Sequence, residues 1–535
     1  MTEYSKHTER KILLLEPPFY RLYGSRFGVN IFPLSLGYLS GVIKQKTSWD
    51  VTAYNAEFSR RGKGIAIDFL MKKGYSSYLN NLINLSGAVW NELMVAWGRG
   101  ITIDFLMKKG YSNYLNNLTN QSGAVWRELR AAIVDCKPDV LGISCKSQNY
   151  ASVKIVAKMA KEINRKIVVV VGGPHPSMVG EALLECSDID ICVRGEGEET
   201  IVELLTAVDE GRALDDVSGI VFRKNDTILS TPQRKYIENL DSLPFPHEVA
   251  PDVLKDYQKY PITAFHRIFA IRGCPFNCAF CGSKYIWSRR PRYRSVTNVI
   301  AQIKSLQKIG LTHVHFDDDT FGVSKQYIQD LCQNLILHCS GLTWGCEIHV
   351  NLVDRDTINM VKAAGCNYLQ LGIESGNNKV LEQVRKGITI EKALSACETI
   401  ENVGGIHLNT FFMVGFPQET EESLKDTFNA MKKVRCNSIT FGIFTPYPGT
   451  ELFEFCSQKG LIDSSFDISL YNHQSPNNYF CPDIPRERFR ELVADIADLV
   501  DTKNKSGGGL IRRIRELGIR KSLRRLAEKA RVNHI

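Results

Sequence analysis

Short apolar runs alternate with helical patterns along most of this chain, and that alternation sets its fold class. The first run, residues 12–15 of KILLLEPPF, stops at Glu16-Pro17-Pro18. A helical pattern follows over about residues 34–44, then a short strand at 51–54. The alternation resumes with VLGIS at 140–144, a helix over about 151–164 and KIVVVVGG at 166–173. Another helix and DIDICVRGEGEET at 188–200 complete it. These strands are apolar at every position rather than at every second one. That pattern belongs to a parallel sheet covered on both faces. An α/β fold with a doubly wound parallel sheet is therefore expected. Ligands of such sheets bind beyond the carboxyl ends of the strands, where Gly172-Gly173-Pro174-His175 and Gly195-Glu196-Gly197 fall.

The character changes after residue 208. VSGIVFRKNDTILSTP reads as a hairpin with Lys224-Asn225-Asp226 at its turn, and DSLPFPHEVAPD as a proline-rich linker. Alternation returns between 265 and 448, with strands expected at 265–271, 313–317, 343–348, 368–373, 407–414 and 438–443. Six units suggest a partial barrel rather than a closed eightfold one. Residues 449–500 read mostly as helix. The expected organisation is a first domain at 1–208 with a duplicated helical insertion at 65–129, and a hairpin and linker at 209–262. A partial (β/α)6 TIM-like barrel follows at 263–450, then a helical C-terminal region at 451–535. A chain of 535 residues is long enough for several cores.

Residues 65–93 recur at 101–129, an offset of 36 with 24 of 29 positions identical. Two copies are too few for a solenoid. They read as a tandem duplication of a surface insertion, which costs little stability. An enlarged lid or a partner surface bearing Trp90, Trp97 and Trp126 is the functional alternative. The net charge of +9 is concentrated at the end: from Arg512 onward nine Lys/Arg stand against two Asp/Glu. Leu510, Ile511, Ile514, Leu517, Leu523, Leu526 and Ala530 recur there near helical spacing. Such a tail is either a solvated amphipathic helix or a peripheral anchor on anionic membrane. No aromatic residues interleave with its charges, which argues against nucleic acid. No apolar run approaches a membrane span, and the polar first ten residues carry no secretory signal. The chain is read as cytoplasmic, with the inner membrane face open to the tail.

Of the 15 cysteines, 12 are scattered, most in apolar surroundings that suit small buried hydrophobes. Cys274, Cys278 and Cys281 stand together in RGCPFNCAFC. In a reducing compartment a tight group favours a metal centre over disulfides. Three thiolates on one loop after a strand can hold three irons of a cubane cluster and leave the fourth open. A zinc site normally needs four ligands, and no second C-x-x-C or suitably spaced histidine completes one.

With Phe280 before its last cysteine, this C-x3-C-x2-C resembles the signature of the radical S-adenosylmethionine (SAM) enzymes. Further family-like segments follow in order: HFDDDTF at 315–321, GIESG at 372–376, MVGFPQET at 413–420 and PYPGT at 446–450. The resemblance covers about 265–450. It implies a [4Fe-4S] cluster on Cys274, Cys278 and Cys281 whose open iron takes the amino and carboxylate groups of SAM. Reduction then yields methionine and a 5′-deoxyadenosyl radical, with an external donor such as a flavodoxin or ferredoxin supplying the electron. Implied SAM contacts are Phe280, Asp317 and Asp318 as acceptors for the amine, Glu374 at the ribose, and Gly415, which permits close backbone approach. The bland alternatives are a turn or helix cap for the aspartates and a salt bridge for Glu374.

The first stretch of about 210 residues resembles the cobalamin-binding domain, a Rossmann-like fold, that precedes many radical SAM domains. EPPFY, FPLSLGYLS, VVVVGGPHPS and VRGEGEET carry the likeness. Implied cobalamin contacts are Pro17, Ser144, Gly172, Gly173, Gly195 and Glu196. Cobalamin proteins that ligate cobalt from below carry Asp-x-His-x-x-Gly after the first strand. Here Glu16-Pro17-Pro18-Phe19-Tyr20-Arg21 has no histidine, so no protein histidine is expected on cobalt, and His175 is read as a tail contact or a bystander. Together the resemblances imply methylation of an unactivated carbon of a small molecule or lipid. An oxidative cyclase of the anaerobic tetrapyrrole type is the alternative, and a cobalamin sensor with an inert barrel a further one. Methylthio transfer to RNA is disfavoured, since neither three further N-terminal cluster cysteines nor a final small β-barrel is visible. A substrate pocket is expected among barrel strand ends and 449–500, where Tyr447, Tyr471, His473 and Tyr479 lie.

Overall fold

The computed structural model describes residues 10–18, 31–58, 121, 123–471, 475 and 477–506. The first repeat copy, most of the second, Trp90, Trp97, His473, residues 19–21 and the basic tail lie outside these residues. The chain forms two compact units. One comprises Met1–Pro275, Phe280–Leu311 and Thr445–Asn478, the other Phe276–Ala279, Thr312–Phe444 and Tyr479–Ile535.

The first unit is built on a sheet of seven strands: β1 (Lys11–Glu16), β2 (Asp50–Asn55), β3 (Val140–Ser144), β4 (Val168–Gly172), β5 (Ile191–Val193), β6 (Ile220–Lys224) and β7 (Thr227–Ser230). Their spatial order is β2-β1-β3-β4-β5-β6-β7. The first five are parallel, and β6 and β7 join antiparallel. The hairpin is therefore part of this sheet rather than a connector. Its two-residue turn holds Asn225 and Asp226 at φ 47° and 63°, left-handed values that short polar side chains tolerate and that match strand twist. Leu13, Leu15, Leu141, Ile143, Val169 and Val171 form one core with helices α1 (Ala124–Cys136) and α2 (Tyr150–Ile163). Trp126 of the second repeat copy is 2% exposed within that core. Ile12, Leu14 and Val170 are buried too; strand alternation turns them to the opposite face. Burial on both faces is why these strands are apolar throughout. This unit also holds the short strands β8 (Arg267–Ile268), β9 (Ile271–Arg272) and β10 (Arg292–Tyr293).

The second unit is built on five strands: β11 (His313–Phe321), β12 (Thr343–Ile348), β13 (Cys366–Glu374), β14 (His407–Val414) and β15 (Ser438–Ile443). They are parallel, lie in chain order, and leave β15 paired only with β14, so the barrel is open. Helices Lys325–His338, Arg355–Ala363, Ile390–Val403 and Glu421–Lys433 connect them. Each starts where the sequence places a cap: Ser324, Asp354, Thr389 and Thr420 accept from the backbone N–H three residues on, worth about 1 kcal/mol apiece. One sheet face is apolar and buried through Val314, Phe316, Trp344, Cys346, Leu369, Leu371, Leu408 and Phe412. The other carries half-buried polar groups, among them His315, Asp317, Glu347 and Gln370. The helix Arg486–Ser506 closes the β15 side: Asn504 bonds both the N–H and the carbonyl of Ile439. Among the described residues no helix is long and apolar enough to cross a membrane.

Candidate active site

The strand that leads into the cysteine loop is anchored by buried charge. Arg272 is 3% exposed and donates to Glu196 Oε1 at 2.8 Å and Glu198 Oε1 at 2.6 Å. Arg292 donates to Glu196 Oε2 at 2.8 Å and to the Ile237 carbonyl at 2.7 Å, and the Ile237 N–H donates to the same Glu196 oxygen. The Arg272 guanidinium also lies over the Trp287 ring at 4.8 Å and the Tyr38 ring at 5.2 Å. Two arginines thus meet two glutamates, the balance that buried charge requires. Glu196, read from the sequence as a cobalamin contact, has both carboxylate oxygens engaged in this network.

Gly273 turns the chain at φ 99°, where a Cβ would lie 3.0 Å from the Arg290 carbonyl, so only glycine fits. Cys274 and Cys278 are half-buried and Cys281 is exposed. The Ala279 N–H donates to the Val384 carbonyl at 2.9 Å, and the Phe276 ring stacks 3.6 Å from His349. In the outer part of the loop the Ser283 N–H donates to Cys281 Sγ at 3.5 Å. Elsewhere burial pushes Cys192, Cys332, Cys456 and Cys481 to about 12 and Cys145 and Cys346 well above the ordinary thiol range. Those thiols stay protonated and inert, whereas a metal ligand must be a thiolate. The accessible triad is the cysteine set that fits an iron–sulfur cluster.

The second unit sorts its predicted SAM contacts. Burial alternates along β11, so Asp317 is half-buried while Asp318 is 2% exposed. Asp317 lies with His315 and Glu347, their ligating atoms within 4.8 Å of one another. The two aspartates thus differ in setting, and Asp317 is the more accessible acceptor. Glu374 ends β13 at φ 70°, a costly value for a residue with a Cβ. It is 5% exposed; Oε1 accepts from Lys386 Nζ at 2.8 Å, and Oε2 has no hydrogen-bond partner among the described residues. Backbone strain and an unmet buried acceptor are features that ligand sites share. Gly372 leaves the room: a Cβ there would sit 2.6 Å from Glu374 Oε1 and 2.9 Å from Lys386 Nζ.

Gly415 adopts φ 86° at the end of β14. Its N–H and that of Phe416 both donate to Glu419 Oε2. Glu419 is fully buried, and burial raises its carboxyl to about 8 against the two amide bonds that lower it. Lys386 and Glu419 were both missed by sequence reasoning. Glu419 had a signal, since it ends the quoted MVGFPQET segment, whereas Lys386 sits on an ordinary-looking VRKG. A raised carboxyl favours the fold at low pH, and the advantage is lost as pH rises through the folded value. Glu419→Gln should therefore gain thermal stability relative to the parent chain between pH 6 and pH 9. Parallel melting curves for the two proteins across that range would refute the assignment.

On the first unit, the strand order reverses at β1 and β3, the place where such sheets bind ligands. Pro17 is buried just beyond β1, Ser144 is half-buried at the end of β3, and Gly172 ends β4. Gly173, at φ 118°, would place a Cβ 2.8 Å from the Cys145 carbonyl; Gly195 faces open space. His175 is 3% exposed, lies 3.1 Å from Ser147 Oγ, and its ring packs 4.6 Å from that of Tyr150. Burial lowers it to about 4, so it is neutral and committed to packing. Tyr447 is half-buried, and its hydroxyl accepts from Gln148 Nε2 at 2.7 Å.

The fold and the site thus define an enzyme class: one unit holds a doubly wound sheet with an open switch point, the other an open parallel barrel, and the chain carries a three-cysteine loop. The radical SAM superfamily model matches residues 268–431 and the B12-binding domain model residues 101–205. An uncharacterised methyltransferase of Pyrococcus horikoshii is 35% identical over 328 residues, covering 61% of this chain and 71% of that protein. An anaerobic magnesium-protoporphyrin IX monomethyl ester cyclase of Rubrivivax gelatinosus is 31% identical over 362 residues, covering 65% and 63%. The fold is that of the radical SAM methyltransferase TsrM of Kitasatospora setae, solved with tryptophan substrate and a SAM analogue: TM-score 0.63, 17% identity, 92% of this chain and 90% of that one. The chain belongs to the radical SAM superfamily, in the branch whose barrel is preceded by a B12-binding domain.

Proposed function

We propose that this chain is a cobalamin-dependent radical SAM C-methyltransferase acting on a small molecule. The observation that carries the reading is the accessible thiol triad in a chain that also holds an open switch-point sheet. When bound, the cluster, SAM and cobalamin supply reductive C–S cleavage and methyl transfer; the chain's task is to bind and orient them. Cys274, Cys278 and Cys281 would hold the cluster. Glu374, with Lys386 beside it, offers a buried acceptor for the SAM ribose, Asp317 one for its amine, and Gly415 a bare backbone edge. Asp318, buried on β11, is the weaker contact. Ser144, Gly172 and Gly173 offer the macrocycle and its tail a surface without bulk.

The test is anaerobic turnover of candidate metabolites with mass detection. A gain of one CH2 with 5′-deoxyadenosine formation supports methylation. An oxidised product of unchanged carbon count would instead favour the cyclase reading, which the Rubrivivax relative supports. Bound cobalamin should show a base-off spectrum that His175→Ala leaves unchanged, because that imidazole is spent on Ser147 and Tyr150. Nitrogen hyperfine structure from a protein histidine on cobalt would contradict this.

A further inference from the structure

Glu16 is the last residue of β1 and is 1% exposed. Its Oε1 accepts from Lys146 Nζ at 2.8 Å, while its buried Oε2 has no hydrogen-bond partner among the described residues. A buried acceptor left unmet is costly, and its persistence points to a donor that arrives from outside. The position is specific. Leu15 pairs with Ile143, so Glu16 stands beside the end of β3, at the switch point of the sheet. Lys146 follows that end, with its backbone N–H fixed on Asn149 Oδ1 at 2.8 Å and its side chain 52% exposed. A fixed carboxylate and a half-exposed ammonium therefore share the ligand edge of the sheet.

Such a pair suits a ligand that carries a hydroxyl donor close to an anion. In cobalamin the nucleotide tail has both, a ribose hydroxyl and a phosphodiester. The corrin ring carries neutral amides at its rim and no phosphate. We propose that Glu16 and Lys146 bind the nucleotide tail, Glu16 accepting from the ribose hydroxyl and Lys146 pairing with the phosphodiester. The inference rests on the reading that this chain binds cobalamin.

The test compares cobalamin with cobinamide, which lacks the nucleotide tail, by equilibrium dialysis against the full-length protein. Glu16→Gln and Lys146→Met should each weaken cobalamin about tenfold, the scale of one charge-assisted contact, and leave cobinamide affinity unchanged. Equal weakening toward both ligands, or undiminished cobalamin affinity, would overturn the proposal. Lys146→Met alters a half-exposed side chain and keeps the test valid should Glu16→Gln misfold. A parent chain that binds neither ligand would overturn the cofactor reading, and this inference with it.

Discussion

Alanine at Cys274, Cys278 or Cys281 should abolish reductive SAM cleavage. Anaerobic reconstitution of the parent chain should give about four irons per chain, and each variant should lose most of them, because three thiolates leave no spare ligand. Cys456→Ala is the control: that thiol is buried and burial holds it protonated, so cleavage should persist. The readout is 5′-deoxyadenosine formed with a chemical reductant. Full cleavage by any of the three loop variants would remove the cluster from this loop.

Removing Glu196 should cost the fold more than any other single carboxylate in the first unit. Its side chain is 3% exposed and neutralises both Arg272 and Arg292. Breaking a buried ion pair from one side costs about 3–5 kcal/mol, since the partner charge is left without compensation. Glu196→Ala should lower the melting temperature by many degrees, while Glu210→Ala, which removes an exposed carboxylate paired with exposed Arg212, should shift it little. The arginines also orient β9, so cluster content should fall in step with stability. Normal stability with selectively lost cobalamin binding would instead make Glu196 a cofactor contact, as the sequence reading has it.

The outcome at Glu196 shows where sequence reasoning stops. VRGEGEET looks like a loop at a ligand edge, and nothing local says that Arg272 and Arg292, far along the chain, will claim its carboxylate. The aspartate run is similar. Three consecutive acids after an apolar strand suggest a set of acceptors, but β11 continues through them to Phe321, and strand alternation gives neighbouring residues different settings.

Much of the rest was legible from the amino-acid order alone. Apolar runs such as VLGIS and KIVVVV must be buried on both faces, which dictates a parallel sheet under helices. The cysteine spacing is local in the same way, because three thiols within eight residues can meet a single cluster whatever surrounds them. Caps such as Ser324 and Thr420 act on backbone groups within three residues and are equally local. Tertiary structure decided everything that depends on partners distant in sequence. It placed the hairpin within the first sheet, joined Lys386 to Glu374, aimed Glu419 at the Gly415 amide, and left one oxygen of Glu16 unmet beside β3. Periodicity and spacing report local geometry, whereas the pairing of buried charges is settled only when the sheets and helices close around them.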